Sequence, residues 1–223
     1  MILACHRMSL FFFLEVFMEE TIVLFDAGFL SKLSKHFGKG NYIKYDIIEF
    51  AKRLAINQNL FCKKIFYYNA PPFQSERPTE QEAERFRKYE KFIEKISKDN
   101  LISIKEGRCQ RLKINNNFIY KQKAVDSLVI IDLMSVVFDF PGIKKIILIA
   151  SDSDFVPVIK KLKDLNIKTI LYTYYQGGRK AMFSTSNELI KSVNKYVLLT
   201  KQDFTSCLLS KKTKEKNGKE EET

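Results

Sequence analysis

The sequence has no tryptophan, two histidines and four cysteines, and these low counts exclude several kinds of site. The cysteines are scattered and form no CxxC pair: Cys5, Cys62, Cys109 and Cys207. This spacing argues against a structural zinc site and against a disulfide framework, and it favours a reducing cytoplasm as the compartment. The two histidines have no partner in the sequence, which disfavours histidine-based catalysis. GxGxxG and the GxxxxGK phosphate-binding loop are also missing, which disfavours the nucleotide chemistry that they support.

No apolar run predicts a membrane partner. The run at residues 9–17 is too short to span a bilayer. It is a poor signal peptide, because Glu15 interrupts it, two further glutamates follow and no small-residue cleavage site is present. We interpret residues 1–17 as an upstream extension or mobile segment, and we expect translation to start naturally at Met18.

Positive charge is abundant in this chain of 223 residues. Lysine and arginine number 38 against 26 acidic residues, which gives a net charge of +12, and 45% of the residues are hydrophobic. A basic surface of this kind favours nucleic acid through phosphate contacts, although a solvated lysine-rich surface is the simpler alternative. We predict a folded domain at residues 18–202 and a charged, disordered tail at residues 203–223.

Strand and helix patterns alternate along the domain and predict an α/β fold with a doubly wound, mostly parallel sheet. Apolar runs predict strands at residues 21–25, 63–68, 101–106, 146–150, 168–172 and 196–199. Helical spacing and helix-start signals predict helices at residues 46–57, 78–98, 124–138, 155–165 and 188–193. After the first strand, Gly28 predicts a tight turn into a further helix. Polar alternation on both sides of three consecutive asparagines predicts a protruding hairpin at residues 108–123.

Carboxylates follow the carboxyl ends of two predicted strands, where ligands bind in open α/β sheets. Asp26 ends the first strand, Asp152 and Asp154 follow the run at residues 146–150, and Asp126 lies in the first turn of the helix at residues 124–138. Unpaired carboxylates a few ångströms apart repel each other by about 4 kcal/mol per pair at an effective dielectric near 20. A fold tolerates this when a divalent cation neutralises the charges or when one group takes a proton. Hard oxygen ligands suit Mg²⁺ or Mn²⁺. The alternative is that Ser151 or Asp152 only caps the next helix.

Three neighbouring residues have less specific signals. Asp132 lies about 240° around the helix from Asp126, so we expect it to orient a partner or face a neighbouring loop. Lys123 has the length to contact a substrate phosphate, and the alternative is an exposed lysine. Ser151 either hydrogen-bonds a carboxylate or a bound water, or caps the helix.

Three segments together resemble the NYN (LabA-like) branch of the PIN-like nuclease superfamily. They are IVLFDAG at residues 22–28, KAVDSLVIIDL at residues 123–133 and IASDSDFVP at residues 149–157, and their order and spacing fit over residues 21–200. The resemblance implies a PIN-like three-layer α/β/α sandwich and a divalent-metal ribonuclease. It also implies that Asp26, Asp126, Asp152 and Asp154 are the catalytic and metal-binding residues.

Aromatic and basic residues after the fifth predicted strand suggest where a substrate lies. They are Tyr172, Tyr174, Tyr175, Arg179 and Lys180. Stacking and phosphate contacts of this kind suit single-stranded RNA, and the basic hairpin at residues 108–123 would form a second wall of the groove. DNA stays possible because nothing in the sequence reads a 2′-hydroxyl, and the oligomeric state, including a homo-oligomer, stays open.

Other functions fit parts of the pattern. A non-catalytic PIN-like module that binds RNA or a partner protein would use the same fold. A glycosyltransferase would use Asp152-Ser-Asp154 as its DxD metal motif, but this leaves Asp26 and Asp126 unexplained. A phospho-receiver domain is disfavoured because the acids are spread over too many elements.

Overall fold

Six parallel strands form the central sheet of this chain. The structure, a computed structural model, describes residues 18–115, 117–177 and 182–209. The strands of the sheet are β1 (Glu19–Asp26), β2 (Leu60–Asn69), β3 (Ile102–Glu106), β6 (Lys145–Ile149), β7 (Lys168–Thr173) and β8 (Lys195–Leu198). Their spatial order is β3-β2-β1-β6-β7-β8, and every neighbouring pair is parallel. The order therefore reverses between β1 and β6, which makes the crevice between these two strands the topological switch point.

Seven helices cover both faces of the sheet among the described residues. They are α1 (Ala27–Phe37), α2 (Ile47–Ile56), α3 (Glu80–Ile96), α4 (Val125–Asp139), α5 (Val156–Asp164), α6 (Asn187–Ser192) and α7 (Lys201–Thr205). Side chains of β1 alternate between two cores: Val23 and Phe25 face one, and Ile22 and Leu24 face the other. The first core includes residues of α1, α2, α3 and α7, and the second includes residues of α4, α5 and α6. This arrangement is the predicted three-layer α/β/α sandwich.

The predicted hairpin is present as a separate two-stranded sheet. Its strands are β4 (Arg108–Ile114) and β5 (Asn117–Lys123), which pair antiparallel from Arg108 opposite Lys123 to Ile114 opposite Asn117. It stands between β3 and α4 in the chain. Only Ala124 separates its last residue from the helix that contains Asp126.

Two helix starts differ from the sequence-based interpretation. The helix expected from Pro78 begins at Glu80, because Thr79 caps it and Glu82 completes a capping box with the Thr79 backbone. The sequence predicts a tight turn at Gly28, but this residue lies inside the first turn of α1, which Asp26 caps. The absence of a Cβ there leaves room for the end of a flexible side chain. A Cβ at this position would lie 2.9 Å from the Oε1 atom of Gln122.

The chain is structured beyond the boundary predicted after residue 202, because α7 crosses it and Leu208 forms a β-bridge with Tyr45. Phe204 in α7 is fully buried, and its ring centroid lies 5.0 Å from the centroids of both Tyr45 and Phe50. Residues 1–17 and 210–223 lie outside the described residues, so the predictions of an upstream extension or mobile segment and of a disordered tail stay predictions. Among the described helices, none combines the length and the hydropathy needed to cross a membrane.

Candidate metal centre

The acidic residues lie at the switch point of the sheet. Phe25 of β1 pairs with Ile149 of β6, and each strand ends at or next to this pair. Asp26 therefore leaves β1 beside the point where residues 150–152 leave β6. Adjacent parallel strands present their carboxyl ends at one edge, as the sequence-based argument expects, and the metal-binding roles of these residues stay predictions.

Asp126, Asp152 and Asp154 form an acidic cluster at this edge. One carboxylate oxygen from each residue lies within 4.8 Å of the corresponding oxygens of the other two, and all three residues are exposed. Three carboxylates grouped in this way could hold one metal ion between them. The ligand atoms are hard oxygens, with no cysteine or histidine in the cluster, so the donor set fits a divalent ion such as Mg²⁺ or Mn²⁺.

Asp152 also has the capping role that the alternative interpretation assigned to it. Its Oδ1 atom accepts a hydrogen bond of 3.0 Å from the backbone N–H of Asp154, at the start of a short 3₁₀ turn, Ser153–Phe155. This bond fixes the Asp152 side chain relative to Asp154. Capping and cluster formation are therefore compatible, because the same turn brings both carboxylates to the edge of the sheet.

Asp126 is placed by a strained turn between β5 and α4. Ala124 has a φ of 69°, in the left-handed region that costs an L residue about 1–2 kcal/mol. Gly107 packs so closely on this turn that a Cβ there would lie 2.4 Å from the carbonyl oxygen of Lys123. The hairpin and the strand that precedes it thus determine where α4 begins, and with it the position of Asp126.

Asp26 is coupled to the acidic cluster by charge. Burial raises the pKa of its carboxyl group, and the nearby charge of Asp126 raises it further, although a hydrogen bond of 3.1 Å from the Phe29 N–H opposes the shift. Partial burial and then the charges of Asp152 and Asp154 raise the pKa of Asp126 in the same way. The four predicted carboxylates therefore interact electrostatically, and a cation among them would relieve the repulsion.

A cavity of about 370 Å³ opens in front of these groups. Its lining includes Asp26, Asp126, Ser151 and Asp152, as well as two residues that the sequence did not single out, Lys32 and Gln122. Lys123 is exposed and is not part of this lining, because side chains alternate along β5 and Gln122 faces the cavity in its place. Contact of Lys123 with a substrate stays a prediction. Arg179 and Lys180 lie outside the described residues.

Asp132 lies outside the acidic cluster and binds structural partners. Its Oδ2 atom accepts a hydrogen bond of 2.9 Å from the hydroxyl of Tyr68, and its Oδ1 atom lies 3.6 Å from the Nζ atom of Lys105. The expectation that it orients a neighbouring group agrees with this geometry. Its charge is compensated within the fold.

Tyr172 is not a groove residue, contrary to the sequence-based interpretation. It is 2% exposed, and its hydroxyl donates a hydrogen bond of 3.0 Å to the carbonyl oxygen of Leu54. Tyr174 packs against His36 and Phe183, with ring centroids 5.6 Å and 5.4 Å away. Of the three tyrosines in this segment, only Tyr175 is exposed.

Comparisons with known proteins agree with this fold. A sequence model described as the NYN domain matches residues 23–200. The crystal structure of a protein of unknown function from Vibrio parahaemolyticus is similar, with a TM-score of 0.50, 16% sequence identity, and coverage of 84% of this chain and 96% of the Vibrio chain. At that identity the likeness concerns the fold alone. No curated protein matches.

Proposed function

This chain belongs to the NYN domain family, within the PIN-like nuclease superfamily, and from that premise we propose that it is a divalent-metal-dependent endoribonuclease. The proposal depends on one observation above all. Carboxylate oxygens of Asp126, Asp152 and Asp154 lie within 4.8 Å of one another at the switch point of the sheet. The narrower LabA-like assignment stays a prediction from sequence motifs.

The acidic residues have distinct roles in this proposal. Asp126, Asp152 and Asp154 would hold the ion, and Asp26 adds a fourth negative group that interacts electrostatically with Asp126. Mg²⁺ or Mn²⁺ held there would supply an activated water and would stabilise charge on the phosphate during cleavage of a phosphodiester bond. Ser151 lines the same cavity and can donate a hydrogen bond to a carboxylate or a water.

Lys32 and Gln122 orient the substrate in this account. Both line the cavity beside Asp26, and the charge of Lys32 lowers the pKa of Asp26 against the larger effect of burial. The positive charge of Lys32 balances part of the negative charge of the carboxylates that line the cavity. It therefore allows a substrate phosphate to approach four carboxylates at a lower electrostatic cost.

Cleavage of a labelled single-stranded RNA tests the proposal. We expect cleavage with Mg²⁺ or Mn²⁺ that stops with a chelator and falls at least about a hundredfold in Asp152→Asn. Asp164→Asn is the matched control, because Asp164 is an exposed aspartate at the end of α5, away from the cluster. Chelator-resistant cleavage, or equal loss in both variants, would contradict the proposal.

The alternative is a non-catalytic module that binds RNA or a partner protein. A chain with a net charge of +12 and an exposed basic hairpin would bind RNA without cutting it. Metal-independent binding of the same RNA, with no cleavage by the unmodified protein, would favour this alternative. A DNA strand of the same sequence, run beside the RNA, separates a ribonuclease from a general nuclease.

A further inference from the structure

A second cavity adjoins the cavity of the acidic cluster. It has a volume of about 770 Å³ and shares Gly28, Lys32 and Gln122 with the first cavity. Residues of α1 form one wall, and residues of α3 and β5 form the other. A polymer that places one phosphate at the acidic cluster therefore has an open path into this second cavity.

Aromatic side chains give the second cavity its character, and we name it the aromatic cleft. They are Tyr67, Tyr89, Phe92 and Tyr120. Tyr120 is 49% exposed and Phe92 is 38% exposed, so their rings are accessible although they line a concave surface. Exposed aromatic rings in a cleft are suited to stacking on flat, unpaired bases.

The rings of the aromatic cleft are held in place by neighbouring groups. Tyr67 and Phe92 pack edge to face with their ring centroids 5.9 Å apart, and the hydroxyl of Tyr89 hydrogen-bonds Glu106. Tyr120 packs on Phe73 with a centroid distance of 5.8 Å. A rigid wall reduces the entropy cost when a ligand stacks on it.

Arg111 locks the hairpin against the body of the protein behind this wall. Its guanidinium carbon lies 4.6 Å from the ring centroid of Phe73 and the same distance from that of Phe118, and its Nη1 atom lies 3.6 Å from the carboxylate of Glu82 in α3. These contacts tie β4 to α3. The side of the cleft that contains Tyr120 is therefore fixed before any ligand arrives.

Cations and amides accompany the aromatic rings. Lys32 and Lys121 line the cleft, and neither forms a salt bridge with another described residue. Asn69 accepts a hydrogen bond of 2.9 Å from the Ala70 N–H through Oδ1, which leaves its amide N–H₂ group as a donor. The side chain of Gln122 lies between the two cavities. The lysines suit phosphates, the amides of Asn69 and Gln122 suit base edges, and the aromatic rings suit base faces.

We propose that the aromatic cleft is a nucleobase-binding subsite for single-stranded RNA next to the acidic cluster. Tyr120 and Phe92 stack on bases, and Lys32 and Lys121 contact the intervening phosphates. The assignment of RNA rests on the proposed function, but binding in the cleft does not require a metal ion. The aromatic cleft differs from the groove predicted from sequence. The predicted groove lies between the hairpin and residues 172–180, whereas the cleft lies between the hairpin, α1 and α3.

Binding of a fluorescein-labelled eight-residue oligouridylate, measured by anisotropy in the presence of a chelator, tests this subsite. We expect Tyr120→Ala and Phe92→Ala each to weaken binding by about 5- to 150-fold, the range for loss of one base–aromatic stack. Tyr196→Ala is the matched control, because Tyr196 is 45% exposed on β8 and lies outside the cleft. Thermal melting of all three variants verifies that they are folded.

An abasic oligomer of the same length separates stacking from other causes of weaker affinity. Its affinity should be nearly the same for the unmodified protein, Tyr120→Ala and Phe92→Ala, because there is no base to stack. Equal losses on the uridylate and abasic oligomers, or unchanged binding of the uridylate, would overturn the subsite. Because the assay omits metal, its outcome is independent of cleavage, and a deoxyuridylate arm shows whether the cleft distinguishes RNA from DNA.

Discussion

Asp126 shows at the residue scale how a binding site costs stability. Partial burial and the charges of Asp152 and Asp154 raise its pKa above the usual value. A carboxyl group whose pKa is raised on folding binds its proton more tightly in the folded protein. Its favourable contribution is therefore full at pH values below the unfolded pKa of about 3.9 and is lost as the pH rises through the folded pKa.

Asp126→Asn should therefore raise the melting temperature at pH 7 in a metal-free buffer. The gain should shrink as the pH falls towards 4, because protonation then removes the same charge from the unmodified protein. Mn²⁺ should stabilise the unmodified protein more than the variant, because a ligand that binds only the folded state stabilises it. Calorimetric melts from pH 4 to pH 7 test this, with Asp164→Asn as the control. A gain that does not depend on pH would contradict the electrostatic explanation.

The residues of the site differed in how far they could be predicted. Asp26, Asp152 and Asp154 follow from strand ends, because parallel strands bring these ends together whatever the side-chain details. Strand ends could not predict Lys32 and Gln122 as site residues, because these two residues come to line one cavity only when the hairpin packs against α1. Strand alternation in β5 was the available signal, since Gln122 and Lys123 must face opposite sides.

At the scale of elements, α1 and β5 meet at Gly28, and this contact sets the width of the site. A Cβ on Gly28 would lie 2.9 Å from the Oε1 atom of Gln122 and 3.2 Å from the Oδ1 atom of Asp26. An added Cβ would therefore displace the side-chain amide of Gln122, which lines the site. The hairpin is thus a structural part of the site and not only a protruding surface.

Gly28→Ala should lower RNA cleavage while changing stability little. Alanine favours a helix over glycine by about 1 kcal/mol, and this gain opposes the cost of displacing Gln122 and Asp26. Initial cleavage rates and urea unfolding measure the two effects. Gly142→Ala is the control, because a Cβ at Gly142 has no neighbour within 4 Å. Unaltered cleavage in Gly28→Ala would contradict the importance of this contact.

Helix caps allow the charge of Asp26 to be separated from its structural role. Asp26 caps α1, and Asp46 caps α2 by accepting hydrogen bonds from the N–H groups of Ile48 and Glu49. Asp26→Asn should keep the cap, since asparagine caps as well as aspartate, but it should reduce cleavage. Asp46→Ala should lose about 1 kcal/mol of unfolding free energy and retain cleavage. Urea unfolding and cleavage assays on both variants test this. Loss of both stability and cleavage in either variant would contradict the prediction that the charge of Asp26 acts separately from its cap.

Most elements were predictable because their patterns are long. The strands have apolar runs, the predicted hairpin has alternating residues, and α4 is apolar around much of its surface. Helix α7 was missed because five residues give too short a periodic pattern. The capping box that Thr200 and Asp203 form was the signal for it.

At the scale of the whole molecule, the acidic cluster lies within a strongly basic chain. The net charge of +12 attracts a polyanion, while the local negative charge selects a cation. The positive and negative regions are compatible because the lysines of the aromatic cleft and the carboxylates of the cluster line adjacent cavities. This pattern suits a protein that must hold a nucleic acid and a metal ion side by side.

RNA affinity should fall linearly with salt on logarithmic axes, because each phosphate that the protein neutralises releases counterions and adds about −0.7 to the slope. Lys32→Gln should make the slope shallower by about 0.7, because this variant neutralises one phosphate fewer. Lys195→Gln should leave the slope unchanged, because Lys195 is exposed on β8, which lies at the end of the sheet order beyond β7. Equal slopes for Lys32→Gln and the unmodified protein would show that the RNA does not contact Lys32.

Binding of Mn²⁺ to the full chain, measured by titration calorimetry, tests the metal centre most directly. We expect saturable binding to the unmodified protein and to Asp164→Asn, and affinity at least about tenfold weaker in both Asp126→Asn and Asp152→Asn. Affinities that are equal in all four proteins, or no measurable binding to the unmodified protein, would contradict the assignment of the acidic cluster as a metal site.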